Sequence, residues 1–436
     1  MAASTTTAGP AAELPAGTRS VLLLFPDLQG VLRGKMLDPA LVDTPAARTE
    51  GLPTTDLLLA VDPRDEPITS LPTAGIQGGA KDLLLKPDFA TLRPVPWFPG
   101  CQLLLGDLHE PGGPPCDISP RQVLRRALSA LSDQGLSMKA AFEFEFRLFR
   151  QDSWEPARTG LSYSPSGLAE VAEFIGTLQR YAEDLRLGLC VVHTEGAPGL
   201  VEVNVDPQDG LAAADTAALL RLAAAEAARR NGLRASFLAK PVAGEEGSSA
   251  HVHFSMWDES GGNTLAGAAA DPEDEFYRRA AWGVLTNLPA ASLVYNPNIN
   301  SYKRLVPGYF APVTASCGTD DRSFALRALL RGPSGSRFEL RRPGADCNPY
   351  LTLAAIAASV CSGLTCEHVP SRGQLDRHDA PLPSSLEGAV TAFGSRDPEL
   401  DKVLGGAFCE HYLRTREWEL RAWQNTVTGW ERERYA

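Results

Sequence analysis

The sequence predicts an α+β protein in two parts: a small β-rich N-terminal domain over residues 18–110 and a larger α+β domain over residues 111–436. Three observations predict it. As far as residue 110, apolar runs of about four to eight residues recur between Pro, Gly and Asp, the pattern of short strands. The densest chain punctuation, Pro111-Gly112-Gly113-Pro114-Pro115, comes next and suits a linker. Beyond it, helical stretches alternate with short strands that carry charged side chains.

Residues 1–17 hold neither a basic start nor an apolar centre, and read as a disordered tail without an export signal. Strands are expected at 20–25, 31–37, 56–61, 82–86 and 101–106, with Leu28-Gln29-Gly30 turning the first into the second. Ser119 and Pro120 offer an N-cap and a first-turn proline to a helix running through Leu136. Further helices are expected over 167–187, 216–230, 272–288, 349–365 and 398–423, with Arg230-Asn231-Gly232 as a stop signal.

Composition narrows the function. The 436 residues are 44% hydrophobic and 22% charged, an ordinary soluble balance. A chain of this size buries about three quarters of its unfolded surface and needs no disulfide or zinc staple. With 41 Lys and Arg against 53 Asp and Glu, the net charge of −12 argues against nucleic acid or an anionic membrane as partner, while leaving room for a locally basic site. The 8 cysteines include no C-x-x-C pair, which fits a reducing, cytoplasmic compartment. Apolar stretches such as residues 351–365 are too short to span a membrane.

Four segments carry chemistry. In Phe142-Glu143-Phe144-Glu145-Phe146 the alternation has the strand period, so phenylalanines line one face and two carboxylates, about 7 Å apart, line the other. That is either a solvated edge face or a place where something cationic is held. A Gly/Pro turn in His193-Thr194-Glu195 through Glu202 can fold Glu195 and Glu202 toward one point, although acids also flank turns without forming a site. In His251-Val252-His253-Phe254-Ser255 both imidazoles and Ser255 share a face, a spacing found in metal sites and equally in hydrogen-bonded histidine pairs. The last is an arginine series, Arg304, Arg322, Arg327, Arg337 and Arg341, with Glu339 between the final two on one strand face. Guanidinium forks suit a bound carboxylate or phosphate, and a structural salt-bridge ladder is the other reading. Jointly, glutamates and a histidine on strands fit hard cations such as magnesium or manganese, and facing arginines fit phosphoryl transfer. No phosphate-loop or dinucleotide glycine motif is present, so a nucleotide would bind without those frameworks.

Taken in order, FEFEF (142–146), HTEGAPGLVE (193–202), GSSAHVHFS (247–255), NPNINSYKRLVPG (296–308), DRSFALR (321–327) and RFELRRPGADCNPYL (337–351) resemble the glutamine synthetase family. The resemblance covers essentially the whole chain after the tail. It implies a β-grasp-like small domain, then a large catalytic domain with an antiparallel sheet flanked by helices. It implies one magnesium or manganese ion at Glu145, Glu195 and Glu202 and a second at Glu143, His251 and Glu339, with ATP as co-substrate. His253, Ser255, Arg327 and Arg337 are then expected at ATP. Gly247, Arg304, Arg322 and Arg341 are expected at glutamate or the moving phosphoryl group, the three arginines as catalytic groups. The implied reaction makes γ-glutamyl phosphate from glutamate and ATP, and an amine then displaces phosphate. The implied homo-oligomer is a dodecamer of two stacked hexameric rings, each active site lying between one subunit's small domain and its neighbour's large one.

Departures from the ammonia-using pattern bear on the acceptor. After Pro307-Gly308-Tyr309 the family's flap glutamate is replaced by Phe310, and no Asp-Gly-Ser-Ser segment is recognisable within residues 69–79. Leu200 replaces a usual glutamine, and residues 427–435 resemble the ending of members that glutamylate polyamines or other amines. A buried ammonium needs a counter-charge that those acids would have given, whereas an apolar ring suits a carbon chain. The expectation is an ATP-dependent glutamate–amine ligase whose acceptor is larger than ammonia: a polyamine, alkanolamine or arylamine. Glutamine synthetase using ammonia is the alternative, and an inactive structural or regulatory relative the second. A zinc hydrolase is disfavoured, since no H-E-x-x-H accompanies His251 and His253. Asp82 and Glu202 are candidates for the base that deprotonates the amine.

Overall fold

Alternation decides how the chain begins. Ser20–Pro26 (β1) sends Val21, Leu23 and Phe25 into a small core and Leu24 into the main one. It turns at Gly30, whose φ of +77° suits glycine, into the antiparallel Leu32–Leu37 (β2), the expected hairpin. The computed structural model describes residues 13–69, 71–271 and 273–436, so most of the tail expected over 1–17 lies outside the described residues. Two short helices, Pro39–Val42 (α1) and Pro45–Thr49 (α2), each have a capping side chain and an N-terminal proline. With Leu52–Thr55 (β3), Asp82–Pro94 (β4) and Cys101–His109 (β5) they frame a five-stranded sheet of order β2-β1-β5-β4-β3, in which only β1 and β5 run parallel. The run expected as a strand at 56–61 is instead a 3-10 turn over Asp56–Leu59. Thr55 Oγ1 accepts from Leu57 N–H at 3.2 Å, a local bond that competes with a ladder.

Residues 111–115 close a tight turn: Pro115 bridges back to His109, and Cys116 and Ile118 enter the small core. Pro120–Ser132 (α3) starts after Ser119, whose hydroxyl makes no capping bond, so proline and backbone open this helix unaided. Leu136–Arg150 (β6) follows and becomes the axis of the large sheet. Pro165–Glu170 (α4) and Ala172–Asp184 (α5), expected as one helix, are separated at Val171. Next come Leu189–Thr194 (β7), Leu200–Val205 (β8), Gln208–Asp209 (β9), Gly210–Arg230 (α6), Leu233–Ser236 (β10) and Ala250–Asp258 (β11). Gly232, at φ +66°, ends the turn after α6 as expected.

Glu275–Tyr295 (α7), Ser301–Arg304 (α8), Thr314–Ala315 (β12), Cys317–Thr319 (β13), Leu326–Leu329 (β14), Arg337–Leu340 (β15) and Pro349–Thr365 (α9) follow and supply the remaining strands of the large sheet. The large sheet has nine strands, β13-β14-β15-β11-β6-β8-β7 with β9 and β10 also paired to β6, and is antiparallel except between β13 and β14. Arg372–Leu375 (α10), Ala380–Pro381 (β16, paired with β12), Leu386–Gly394 (α11), Pro398–Leu404 (α12), Gly406–Gln424 (α13) and Gly429–Tyr435 (α14) finish the chain. The single helix expected over 398–423 breaks at Gly405, where φ is +91°.

Helix α9 is apolar almost all round because α3, α6 and α7 cover it. It crosses α7 backbone to backbone: a Cβ on Gly283 would sit 2.1 Å from Ser359 O, and one on Gly363 would sit 2.1 Å from Arg279 O. The two sheets share a core, since Leu24, Trp97, Leu103 and Leu105 pack with the helices of the large half. Arg121 on α3, 1% exposed, bridges Asp88 on β4 and Asp107 on β5 to Asp215 on α6. Among the described residues no helix is long and apolar enough to cross a membrane.

Candidate active site

Strand β6 positions the first two carboxylates. Phe142, Phe144 and Phe146 are fully buried on one face, where Phe142 and Phe144 stack at 5.4 Å and Phe146 meets Phe237 at 4.9 Å. Glu143 and Glu145 therefore point from the other face, and β6 has partners on both sides, which excludes the edge-strand reading. The ladder sets Glu143 across from His251, and Glu145 across from Glu202, which in turn faces His193. On the far side His253 pairs with Glu339, and Glu339 with Arg327. Register alone gathers four distant segments onto one face.

Glu143 sits between two imidazoles, with Oε2 3.6 Å from His251 Nδ1 and Oε1 2.8 Å from His253 Nε2. Burial opposes its charge, but the two histidines outweigh that and hold the carboxyl well below the usual carboxylate range. Glu339, 1% exposed in its side chain, bonds Arg327 at 2.8 Å and also Arg341. Burial works against Glu339 as well, and His251, Arg341 and Arg327 keep it ionised. Arg337 Nε donates to His253 Nδ1 at 3.0 Å, which leaves Nε2 turned toward Glu143.

The β7–β8 turn brings a second group together. His193 Nε2 lies 3.1 Å from Glu202 Oε1 and Nδ1 3.3 Å from Glu195 Oε1. Burial, then Glu145 and Glu202, push Glu195 up to about 7, while Glu202 and Glu195 overcome burial to raise His193. Glu145 completes this corner and accepts from Ser249 N–H at 2.7 Å.

The other expected residues are spread around these groups. Arg304, 4% exposed, lies under Gly247, where a Cβ would come 2.7 Å from Arg304 Cγ and 2.5 Å from Ala239 O. Arg304 bonds the carbonyls of Arg341 and Arg342 at 3.3 and 3.2 Å. Ser255 continues the His251–His253 face and accepts from Trp257 Nε1 at 2.9 Å. Arg322 is exposed between β13 and β14, and Phe310, 67% exposed with φ +50°, stands out on the turn after α8. Asp82 pairs with Thr55 in the small sheet and is exposed.

Three residues escaped the sequence reading. His193 shares a strand face with Glu195 through the same period of two that singled out Glu143 and Glu145, so a signal existed. Tyr163, 68% exposed, stacks on His193 at 4.3 Å across a loop with no regular period to reveal it. Lys139, opposite Ser255, places its ammonium 4.4 Å from the Trp257 ring.

The donor set fits divalent metal. The tightest groups are Glu143, His253 and Glu339, and His193, Glu195 and Glu202, with ligand atoms in each within 4.8 Å of one another. His193 Nδ1 and His253 Nε2 are buried and make no hydrogen bond, since their nearby carboxylates lie out of line. Carboxylates with single imidazoles match a hard cation of the magnesium or manganese kind. His253 is the imidazole nearer to Glu143, while His251 lies 3.6 Å from Glu143 and 3.9 Å from Glu339, and His193 serves Glu195 and Glu202.

The pattern of the glutamine synthetase catalytic domain matches residues 117–435. A glutamate–isopropylamine ligase from a Pseudomonas species is 33% identical over 433 residues, spanning 94% of this chain and 93% of its own. A gamma-glutamylethanolamide synthetase from Streptomyces coelicolor is 33% identical, spanning 95% of this chain and 92% of its own. A glutamine synthetase from Halobacterium salinarum is 34% identical over 385 residues, spanning 81% of this chain and 83% of its own. A solved GmaS–ADP complex superposes with a TM-score of 0.82 at 28% identity, covering 96% of this chain and 97% of that one.

Proposed function

This chain belongs to the glutamine synthetase family, and from that premise we propose that it is an ATP-dependent ligase joining the γ-carboxylate of glutamate to an amine larger than ammonia. One observation carries the reading: six carboxylate and imidazole side chains, Glu143, Glu145, Glu195, Glu202, His251 and Glu339, share one face of the large sheet beside Arg327, Arg337 and Arg341. Two relatives named for glutamylating amines support it.

Magnesium or manganese held by those six side chains would offset the repulsion between ATP phosphates and a carboxylate. Arg327 and Arg337 would bind the ATP phosphates, with His253 and Ser255 toward the nucleoside. Arg304, Arg322 and Arg341, with the open backbone at Gly247, would hold glutamate and the moving phosphoryl group. An oxygen of the γ-carboxylate attacks the γ-phosphorus, ADP leaves, and the acyl carbon gains a good leaving group. The amine nitrogen then attacks that carbon, phosphate departs with the C–O bond electrons, and the nitrogen loses its proton to a base, for which Glu202 is a candidate. Phe310 would select the acceptor by offering an apolar ring. The proposed assembly is a dodecamer of two stacked rings, and the proposed domain boundary is residue 110.

The test is phosphate release by purified protein with magnesium, ATP and glutamate across ammonium and a panel of primary amines. Faster turnover with a larger amine is expected. Efficient use of ammonium at low millimolar concentration would reverse the order in favour of glutamine synthesis, and silence with every acceptor would leave the inactive-relative reading.

A further inference from the structure

Glu195 differs from the other carboxylates of its group in what holds it. Glu145 and Glu202 face each other in the ladder between β6 and β8. Glu195 lies on the turn after β7, where its N–H donates to Leu200 O at 3.0 Å. Repulsion among the three carboxylates therefore bears hardest on the one that the ladder does not fix.

Two buried arginines grip that turn. Arg158, 3% exposed, comes from the loop between β6 and α4. Its Nη2 donates to Glu195 O at 2.5 Å, to Ala197 O at 3.3 Å and also to Leu200 O, while Nη1 reaches Thr159 O. Its Nε is buried and makes no hydrogen bond. Arg147, with no exposure, donates to Pro198 O at 3.3 Å from the strand side. Burying a guanidinium is costly, and one whose donors converge on the carbonyls of a single turn fixes the shape of that turn. The loop that carries Arg158 is itself stitched to β7. Thr194 Oγ1 donates to Leu161 O and accepts from Ser164 N–H, both at 2.9 Å, and Tyr163 N–H donates to Thr194 O at 2.7 Å. Gly160 lies against the outside of the turn, where a Cβ would come 2.6 Å from Gly196 O.

We propose that Arg158 is a positioning residue, fixing the β7–β8 turn so that the Glu195 carboxylate stays beside Glu202 to receive a divalent cation. This rests on the metal reading above. The sign of the effect separates positioning from charge. Arg158 brings positive charge next to Glu195, so charge alone predicts that Arg158→Gln tightens cation binding, whereas loss of positioning weakens it. The experiment titrates Mn2+ into the wild-type protein, Arg158→Gln and Gly160→Ala without nucleotide or glutamate. Free Mn2+ is read by electron paramagnetic resonance, and circular dichroism checks folding. Gly160→Ala displaces the turn by contact and leaves every charge in place. The wild type should bind two ions per chain, and Glu195→Gln should identify which of them is concerned. Each of the two variants should weaken that ion about tenfold or more and change the other by less than about twofold. Tighter binding, equal weakening of both ions or no change in a folded variant overturns the inference. So does loss of folding in both variants, which would make Arg158 a purely structural residue. Binding of fewer than two ions by the wild type sinks the metal reading instead.

Discussion

Glu145 on β6 and Glu202 on β8 stand directly opposite each other in the antiparallel ladder, in the interior of a nine-stranded sheet. Like charges at opposed positions cost stability, and burial of Glu202 adds to that cost. Packing does not require the pair, because Phe144, Phe146, Val201 and Val203 already fill the core around it. His193, 3.1 Å from Glu202, offsets part of that repulsion, and a divalent cation held there would offset more.

Removing one member should therefore separate stability from activity. Glu202→Gln is expected to stabilise the metal-free protein by about 1 kcal/mol, or roughly 2 °C. The same change should lower phosphate release at least a hundredfold and shrink the stabilisation that magnesium gives the wild type. Calorimetry with chelator and with magnesium measures both.

Phe310 tests acceptor choice from the opposite side. Restoring a carboxylate by Phe310→Glu should raise the ratio of ammonium to amine turnover about tenfold or more, because a bare ammonium gains a counter-charge. Equal relative rates across the amine panel would remove Phe310 from acceptor selection.

Arg121 is the stability counterpart. Arg121→Ala would leave buried Asp215 without a guanidinium, and Asp88 and Asp107 with only that of the more exposed Arg125. The expected loss is about 3–5 kcal/mol, read from the urea midpoint, with the KM for ATP little changed in the protein that remains folded.

His411 gives the fold a pH dependence. Its Nε2 meets Leu59 O at 2.9 Å with no exposure, and burial lowers its pKa below 6.5. The unfolded chain binds a proton below about pH 6.5 where the folded chain refuses it, so stability is full above that pH and declines as pH falls. Urea midpoints at pH 7.5 and 5.5 should differ more for the wild type than for His411→Gln.

Where a residue's neighbours in sequence determine its surroundings, the fold was legible beforehand. The Phe/Glu period of β6 announced both a core face and a chemical face, and the Gly/Pro turn before Glu202 announced that Glu195 and Glu202 could be folded toward one point. Residues 56–61 misled because an apolar run of that length fits a strand or a short helical turn equally, and only the Thr55 hydroxyl decided it. The breaks at Val171 and Gly405 were hidden because both flanking segments are helical. In the site, Glu143, Glu145, Glu202, His251, Arg327, Arg337, Glu339 and Arg341 were legible from their strand pattern, whereas Arg304 sits on α8 and Arg322 and Glu195 lie in turns. That His193 meets Glu202, and His253 meets Glu143, depends on register between strands and on side-chain reach, which no local pattern records.

The shared interior beneath both sheets has a practical consequence. A protease that nicked the turn at residues 111–115 would cut the chain without parting its products. The fragments would migrate separately in denaturing gels yet elute together from a sizing column, because Trp97, Leu103 and the Arg121 cluster still bind one to the other.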